Sequence, residues 1–205
     1  MLGYLKEGGW MMYILTGVLG IGVIIAIVKL WFLLMARINT KAFIKKIQNL
    51  IDTKGVDEAI NETEKTRGPV SAVVHSGLTR ADKNLAFVER AMENEAAVQM
   101  GHLEKGMTWL AMVIAIAPML GFLGTVIGMI EAFRTIKEMK DIVPSEVAGG
   151  IQIALLTTAY GLVIAVPMQI FYNLFVSMID GLVVEMEDSA NVIIEHLLDK
   201  NIVKN

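Results

Sequence analysis

The chain has no cysteine, so it can form no disulfide and offers no thiol nucleophile or cysteine-based metal site. It also lacks a strong charge imbalance: the formal net charge is −3 over 205 residues, and nothing in this suggests nucleic-acid binding. Its three histidines, His75, His102 and His196, are scattered, and an isolated histidine is usually a solvated or packed residue. Because no nucleophile–base set or phosphate loop is present, we expect no enzyme activity, metal or cofactor.

Charged residues are missing altogether from three long stretches of the chain. Residues 8–28, 107–130 and 147–179 contain no Asp, Glu, Lys, Arg or His. At about 1.5 Å rise per residue, each stretch can cross the roughly 30 Å hydrocarbon core of a bilayer as a helix. The mean hydropathy of +0.57 agrees with a membrane protein. The sequence therefore predicts an all-α protein with three transmembrane helices.

The first apolar stretch differs from a removable signal peptide. Its apolar core is too long, the residues before it include both Lys6 and Glu7, and no small-x-small cleavage site follows it. We therefore expect this stretch to be retained as the first transmembrane helix.

Positive charge is concentrated after the first span. The basic residues that follow it are Arg37, Lys41, Lys45 and Lys46. Only Lys6 precedes it, so the positive-inside rule places the N-terminus outside and residues 36–106 in the cytoplasm. Three basic residues in the loop after the second span weaken this signal without reversing it. Lys29, the one charge within the first span, lies near its cytoplasmic end, and we expect its side chain to snorkel to the interface.

These observations predict an order of segments along the chain. The order is a short periplasmic N-terminus (1–9), transmembrane helix 1 (10–35), a cytoplasmic helical domain (36–106), transmembrane helix 2 (107–133), a short periplasmic loop (134–146), transmembrane helix 3 (147–178) and a cytoplasmic helical tail (179–205). Apolar stripes at helical spacing predict cytoplasmic helices; their residues include Phe43, Ile47, Leu50 and Ile51, and then Val70, Val73, Val74 and Leu78.

Long helices are expected to extend from the spans into a cytoplasmic helical bundle. Asp82 is the expected cap of one of them, which should continue unbroken from Lys83 into the second span. The tail after the third span keeps its apolar residues at helical spacing.

Small residues mark one face on each of the last two spans. The candidate packing or pore-facing residues are Ala117, Pro118, Gly121, Gly124, Thr125 and Gly128 on the second span, and Ala154, Thr158, Gly161, Ala165 and Gln169 on the third. Small residues let helices approach closely, and a threonine hydroxyl can bond a carbonyl one turn back, so helix packing alone explains such faces. The alternative is a narrow polar seam that serves as an ion route or holds a guest helix.

The seam contains no ionisable group. No acidic residue lies between Glu104 and Glu131, and none lies between Glu146 and Asp180. A proton pathway usually needs a titratable carboxylate or histidine within the membrane. Either the chain conducts nothing, or the titrating group belongs to a partner helix.

Two sequence motifs carry a family resemblance. Residues 117–128 (APMLGFLGTVIG), and residues 149–162 (GGIQIALLTTAYGL) followed by Ala165-Val166-Pro167, resemble the second- and third-span signatures of the MotA/TolQ/ExbB proton-channel family. The three-span layout with a large cytoplasmic loop is similar to the ExbB and TolQ branch.

The resemblance implies a function in a bacterial inner membrane. ExbB-like subunits form a pentamer whose second and third spans line a pore, and Thr125 and Thr158 fall on the family's two pore-facing threonines. A dimer of ExbD-like single-span helices occupies that pore and brings a titrating aspartate, and a TonB-like protein carries the work to outer-membrane transporters. One residue departs from the pattern, because Ile153 stands where many relatives carry an acid. The other functions that remain open are a TolQ-like subunit of the Tol-Pal system and a non-conducting membrane scaffold.

Overall fold

The computed structural model describes residues 8–138 and 144–203. Most of the predicted N-terminal segment 1–9 and the middle of the predicted loop 134–146 lie outside the described residues.

The described part of the chain confirms the all-α class, since it is 89% helical and contains no strand. Its helices are α1 (Trp10–Ala36), α2 (Thr40–Lys54), α3 (Val56–Lys65), α4 (Pro69–Leu78), α5 (Leu85–Glu104), α6 (Met107–Glu138) and α7 (Pro144–Asp199). Three of them are long and apolar enough to cross a membrane, and the charge-free stretches of the sequence lie in α1, α6 and α7. The three predicted spans are therefore present as helices.

The chain folds into two compact units, each with its own contacts. The first, which we call the span unit, comprises the described residues of 1–29 and 106–174; the second, the polar unit, comprises those of 30–105 and 175–205.

Helix α1 packs against both α6 and α7 within the span unit. A methyl group added to Gly22 would lie 3.0 Å from Val113 Cγ1 of α6 and 3.2 Å from Met168 Sδ of α7. The hydroxyl of Thr16 lies 3.4 Å from that of Tyr160. Lys29 is buried, with 5% of its surface exposed, so the expectation that its side chain snorkels outward is wrong.

The polar unit is built around an apolar core shared by α2, α4, α5 and the C-terminal part of α7. Fully buried side chains include Ile47, Val74, Val88, Ile193 and Leu197. The predicted stripe Val70, Val73, Val74 and Leu78 is entirely buried in α4, and Phe43, Ile47 and Ile51 are buried in α2. Leu50, the remaining member of the α2 stripe, is half-buried. The helical periodicity therefore identified the core-facing residues with one partial exception.

The expectation of one unbroken helix from Lys83 into the second span is wrong. Lys105 and Gly106 form a turn between α5 and α6, and Gly106 has a φ of +91°, which L side chains rarely adopt. The N-terminal cap of α5 is Asn84 and not Asp82, because the Asn84 side chain accepts a hydrogen bond from the backbone N–H of Phe87 at 3.2 Å.

Helix α2 is bonded to α7 near both of its ends. The Thr40 hydroxyl donates to Glu185 Oε2 at 2.6 Å. At the other end, Asp52 Oδ1 lies 2.8 Å from Lys200 Nζ and 3.1 Å from His196 Nε2. The hydrogen bond from Lys200 is the largest cause of a lowered pKa for Asp52, which lies below its ordinary value of 3.8.

Replacing Asp52 by Asn should lower the melting temperature of the detergent-solubilised protein at pH 7. Because the pKa of Asp52 is depressed in the folded state, its stabilisation is fully present above the ordinary value of 3.8 and is lost as the pH falls through the folded-state pKa. The difference between the two proteins should therefore close below pH 3.8. Glu64→Gln, an exposed change on α3, is the control, and a difference that persists at lower pH would contradict the assignment.

Candidate functional site

The small faces of α6 and α7 pack directly on each other within one chain. We call this contact the glycine seam; its residues are Ala117, Gly121, Gly124 and Gly128 of α6 and Gly150, Ala154, Thr157 and Gly161 of α7. A methyl group on Gly161 would lie 2.6 Å from the carbonyl oxygen of Ala117, and one on Gly128 would lie 2.7 Å from that of Gly150. Since real Cβ atoms essentially never come this close, hydrogen is the only side chain that fits at these two positions.

The glycine seam is buried within the span unit. Ala117 has no exposed surface, Ala154 is 3% exposed, and the neighbouring Ala165 is 7% exposed. The glycines and alanines singled out in the sequence are therefore covered by their own chain. Packing between two spans accounts for them.

The two predicted pore threonines lie at the edge of the seam and are half-buried. The Thr158 hydroxyl of α7 donates to the carbonyl oxygen of Gly121 in α6 at 3.2 Å. The Thr125 hydroxyl donates to the carbonyl oxygen of Phe122 in its own helix at 2.6 Å. Tyr160, which lies beside α1, is two residues from Thr158 and so about 200° away around α7. Thr158 is thus on the side of α7 that faces away from α1.

Two other predicted residues lie off the buried face. Gln169 is exposed, and its side-chain amide donates to Asn173 Oδ1 at 3.0 Å. Pro118 is half-buried inside α6, where it cannot donate the helical hydrogen bond to the carbonyl of Ile114. Neither side chain is part of the glycine seam.

Thr157 is a seam residue that the sequence reasoning missed. It has no exposed surface, and a methyl group on Gly124 would lie 2.5 Å from its Cβ. Its hydroxyl donates to the carbonyl of Ala154 at 2.9 Å, with that of Ile153 at 3.1 Å, so its hydrogen bonds stay within α7. The signal was present, because Thr157 lies three residues after Ala154 and four before Gly161.

The site has no ionisable side chain of its own. The apolar stretches 107–130 and 147–179 lack charge, and no group of three His, Cys, Asp or Glu residues among those described could hold a metal ion. What the chain offers chemically is a rigid pair of helices whose edge presents two threonine hydroxyls.

Gly161→Ala should destabilise the protein by about 1–3 kcal/mol, because the added methyl overpacks the seam and pushes α6 from α7. Gly17→Ala in α1 is the matched control, since nothing lies within 4 Å of its added methyl. Unfolding in denaturing detergent measures both, and we expect the control to be unchanged or more stable. Equal losses in the two variants would show that the seam is not tightly packed.

Comparison with known proteins identifies relatives over this region. The model of the MotA/TolQ/ExbB proton channel family matches residues 65–188. A putative biopolymer transport protein ExbB homolog of Methanothermobacter thermautotrophicus is 32% identical over 183 residues, which is 89% of this chain and 65% of the relative. The biopolymer transport protein ExbB of Salmonella typhimurium is 32% identical over 138 residues, covering 66% of this chain and 52% of that protein.

A Tol-Pal relative is also found. The Tol-Pal system protein TolQ of Pseudomonas aeruginosa is 36% identical over 94 residues, covering 46% of this chain and 41% of the relative. This chain thus spans between about half and two thirds of the length of the ExbB relatives above. The matched region 65–188 contains the whole glycine seam and both edge threonines and covers more than half of the chain, which therefore belongs to the MotA/TolQ/ExbB proton channel family.

Proposed function

We propose that this chain is the channel and stator subunit of an inner-membrane motor that uses the proton motive force to energise TonB-dependent outer-membrane transport. Its family and its apolar helices make it a membrane subunit of a proton-channel family. The observation that carries the proposal is the pair of hydroxyls, Thr125 and Thr158, at the edge of a packed seam that lacks any ionisable group.

A carboxylate on a partner helix is the proton carrier in this proposal. A threonine hydroxyl has one donor and two acceptor lone pairs, and the donor of Thr158 is already used by the carbonyl of Gly121. A protonated partner acid can donate to Thr158 Oγ1 without disturbing that bond. An ionised carboxylate only accepts, so the hydroxyl must leave the carbonyl to bind it. The Thr158 hydroxyl therefore binds the protonated and the ionised forms of the partner's carboxylate in different ways.

The assembly we propose follows the family pattern. This chain forms a homo-oligomer, a pentamer, around a dimer of an ExbD-like single-span subunit, and a TonB-like protein receives the work. The segments keep the predicted topology, with a periplasmic N-terminus and a cytoplasmic C-terminus in a bacterial inner membrane. The arrangement is supported by the distribution of basic residues after the first span and by the ExbB relatives.

A TolQ-like function in the Tol-Pal envelope system is the second candidate. It is favoured by the Pseudomonas aeruginosa relative, whose identity over its matched region is 36%. Both candidates use the same threonine edge. Two complementation experiments separate the candidates. An ExbB-like chain should restore siderophore uptake in a strain that lacks ExbB, and a TolQ-like chain should restore envelope integrity in a strain that lacks TolQ.

Thr158→Val and Thr125→Val should leave assembly intact and strongly reduce energy transduction. Valine matches threonine in shape and removes only the hydroxyl, and hydrogen bonds between membrane helices contribute roughly 0.6 kcal/mol on average, so stability should change little. Thr157→Val is the matched control, because that hydroxyl is buried and bonds only its own helix. Siderophore uptake measures transduction, and normal uptake in both edge variants would refute a pore role.

Proton flux should require the partner. Liposomes containing this chain alone should show little proton-selective leak at a fixed potential, because residues 107–130 and 147–179 have no carboxylate or histidine. Adding the ExbD-like subunit should produce flux, and changing its intramembrane aspartate to asparagine should abolish that flux. Ile153→Glu in this chain tests whether an acid there can substitute, and we expect no rescue. Strong proton-selective flux through this chain alone would show that the proposal assigns the titrating group to the wrong subunit. Absence of flux even with the partner would favour the non-conducting scaffold.

A further inference from the structure

The polar unit contains a large groove between α5 and the C-terminal part of α7. Its volume is about 1040 Å³. Val73, Met92 and Met186 form its buried base, and Met100 and Val192, which are 40% and 39% exposed, are the large apolar side chains open to a partner. The groove follows two helices for about three turns, from residue 89 to 100 on α5 and from 183 to 195 on α7. An elongated apolar groove between helices is the shape that binds another helix.

The rim of this groove is strongly acidic. Its carboxylates are Glu89, Glu93, Glu187, Asp188 and Glu195, and all five residues are exposed. No lysine or arginine of the described chain lines the groove. We call it the acidic groove. Its occupant must supply positive charge, because uncompensated carboxylates around a filled groove repel one another.

Helix α2 carries the complementary charge. Lys41 and Lys45 are exposed and one turn apart, which is the same spacing that separates Glu89 from Glu93 on the rim. Within their own chain the two lysines line a smaller groove beside Glu185 and Asp188, yet the described residues include no ion pair for either of them within 4.0 Å. Lysine stems can cover an apolar floor while their ammonium groups reach a charged rim.

The acidic groove and α2 lie on neighbouring faces of α7, which meet along Asp188 and Val192, since these two residues line both grooves. Glu185 accepts the Thr40 bond from α2, whereas Glu187 lines the groove. Two residues along a helix correspond to a rotation of about 200°, so Glu187 at the centre of the groove faces away from Glu185. The bonds of Thr40 to Glu185 and of Asp52 to Lys200 keep α2 on its own face of α7. Two complementary surfaces on different faces of one molecule form a head-to-tail contact, which closes into a ring when the rotation allows it.

We propose that the acidic groove binds the basic face of α2, centred on Lys41 and Lys45, from a second copy of this chain. The inference rests on the homo-oligomer in the proposed function and assigns the surfaces that join its neighbouring subunits. The rim carboxylates fix which partner surface enters the groove and in which register, and the lysine stems cover the exposed apolar side chains of Met100 and Val192.

The absence of native cysteine allows a direct test in the membrane with the full chain. The double variant Glu93→Cys/Lys45→Cys should give a ladder of disulfide-linked oligomers on oxidation, since a disulfide requires Cα atoms within about 7 Å. A mixture of Glu93→Cys and Lys45→Cys single variants should give dimers and nothing larger. Glu93→Cys/Lys65→Cys is the control, because Lys65 lies at the end of α3, and it should give no ladder.

Charge reversal provides the second readout. Glu89→Lys/Glu93→Lys should reduce the ring observed by native mass spectrometry by about tenfold, because like charges then face each other across the contact. Lys41→Glu/Lys45→Glu should do the same, and combining both pairs of changes should restore the ring. Glu58→Lys/Glu64→Lys, on the exposed surface of α3, changes the charge equally and should leave the ring intact.

The outcomes separate this inference from the proposed function. A ring that forms without the Glu93–Lys45 cross-link, or that survives both reversals, overturns the groove assignment and leaves the homo-oligomer standing. A cross-link from Glu93→Cys to the co-expressed single-span subunit in place of Lys45→Cys also overturns it. An unmodified chain that forms no ring overturns both.

Discussion

The backbone contact between α6 and α7 is the constraint on which the span unit depends. Between membrane helices the lipid provides no hydrophobic driving force, so close van der Waals packing has to hold them together. Gly121, Gly128 and Gly161 allow that approach because they carry no side chain, and Thr157 fills the space over Gly124. The contact also fixes where the Thr158 hydroxyl meets the carbonyl of Gly121. Packing and the candidate proton site are therefore two results of one interface.

The polar unit is held together by different forces. Its stability comes from burying apolar side chains such as Ile47, Val74 and Leu197, as in a water-soluble helical bundle. Its ion pairs, including Asp52 with Lys200, are partly or fully exposed and contribute little each. Charges on such a surface act mainly by selecting which surfaces associate. This division fits the assembly proposed above, in which the polar unit contacts neighbouring subunits.

The helical class and the three spans could be predicted from the sequence. A stretch of more than 20 residues without charge is typical of a helix that crosses the hydrocarbon core of a bilayer. Helix Val56–Lys65 also has bounds that the sequence marks, since Gly55 precedes it and Arg67-Gly68-Pro69 follows it. The helical spacing of small residues placed Thr158 on the small face of the third span and missed that Thr157 is buried in the seam, for a geometric reason. Adjacent residues are only 100° apart on a helix, and the buried face of α7 is wide enough for either to fit the spacing. Likewise Lys105 and Gly106 gave no clear signal of a break, because a single glycine is tolerated inside helices.

The glycine seam limits how far the threonine hydroxyls can move relative to the neighbouring helix. A conventional helix interface is filled by long side chains that exchange rotamers, and each exchange can change the separation of the two backbones. At the seam the backbones themselves are in contact, with Gly161 against Ala117 and Gly128 against Gly150. Few rotatable bonds lie between the two helices, so side-chain rotation has little effect on the distance between them. In the proposed mechanism, a hydroxyl held at such an edge distinguishes a carboxylic acid from a carboxylate by one proton, because few side-chain rotations can change its position.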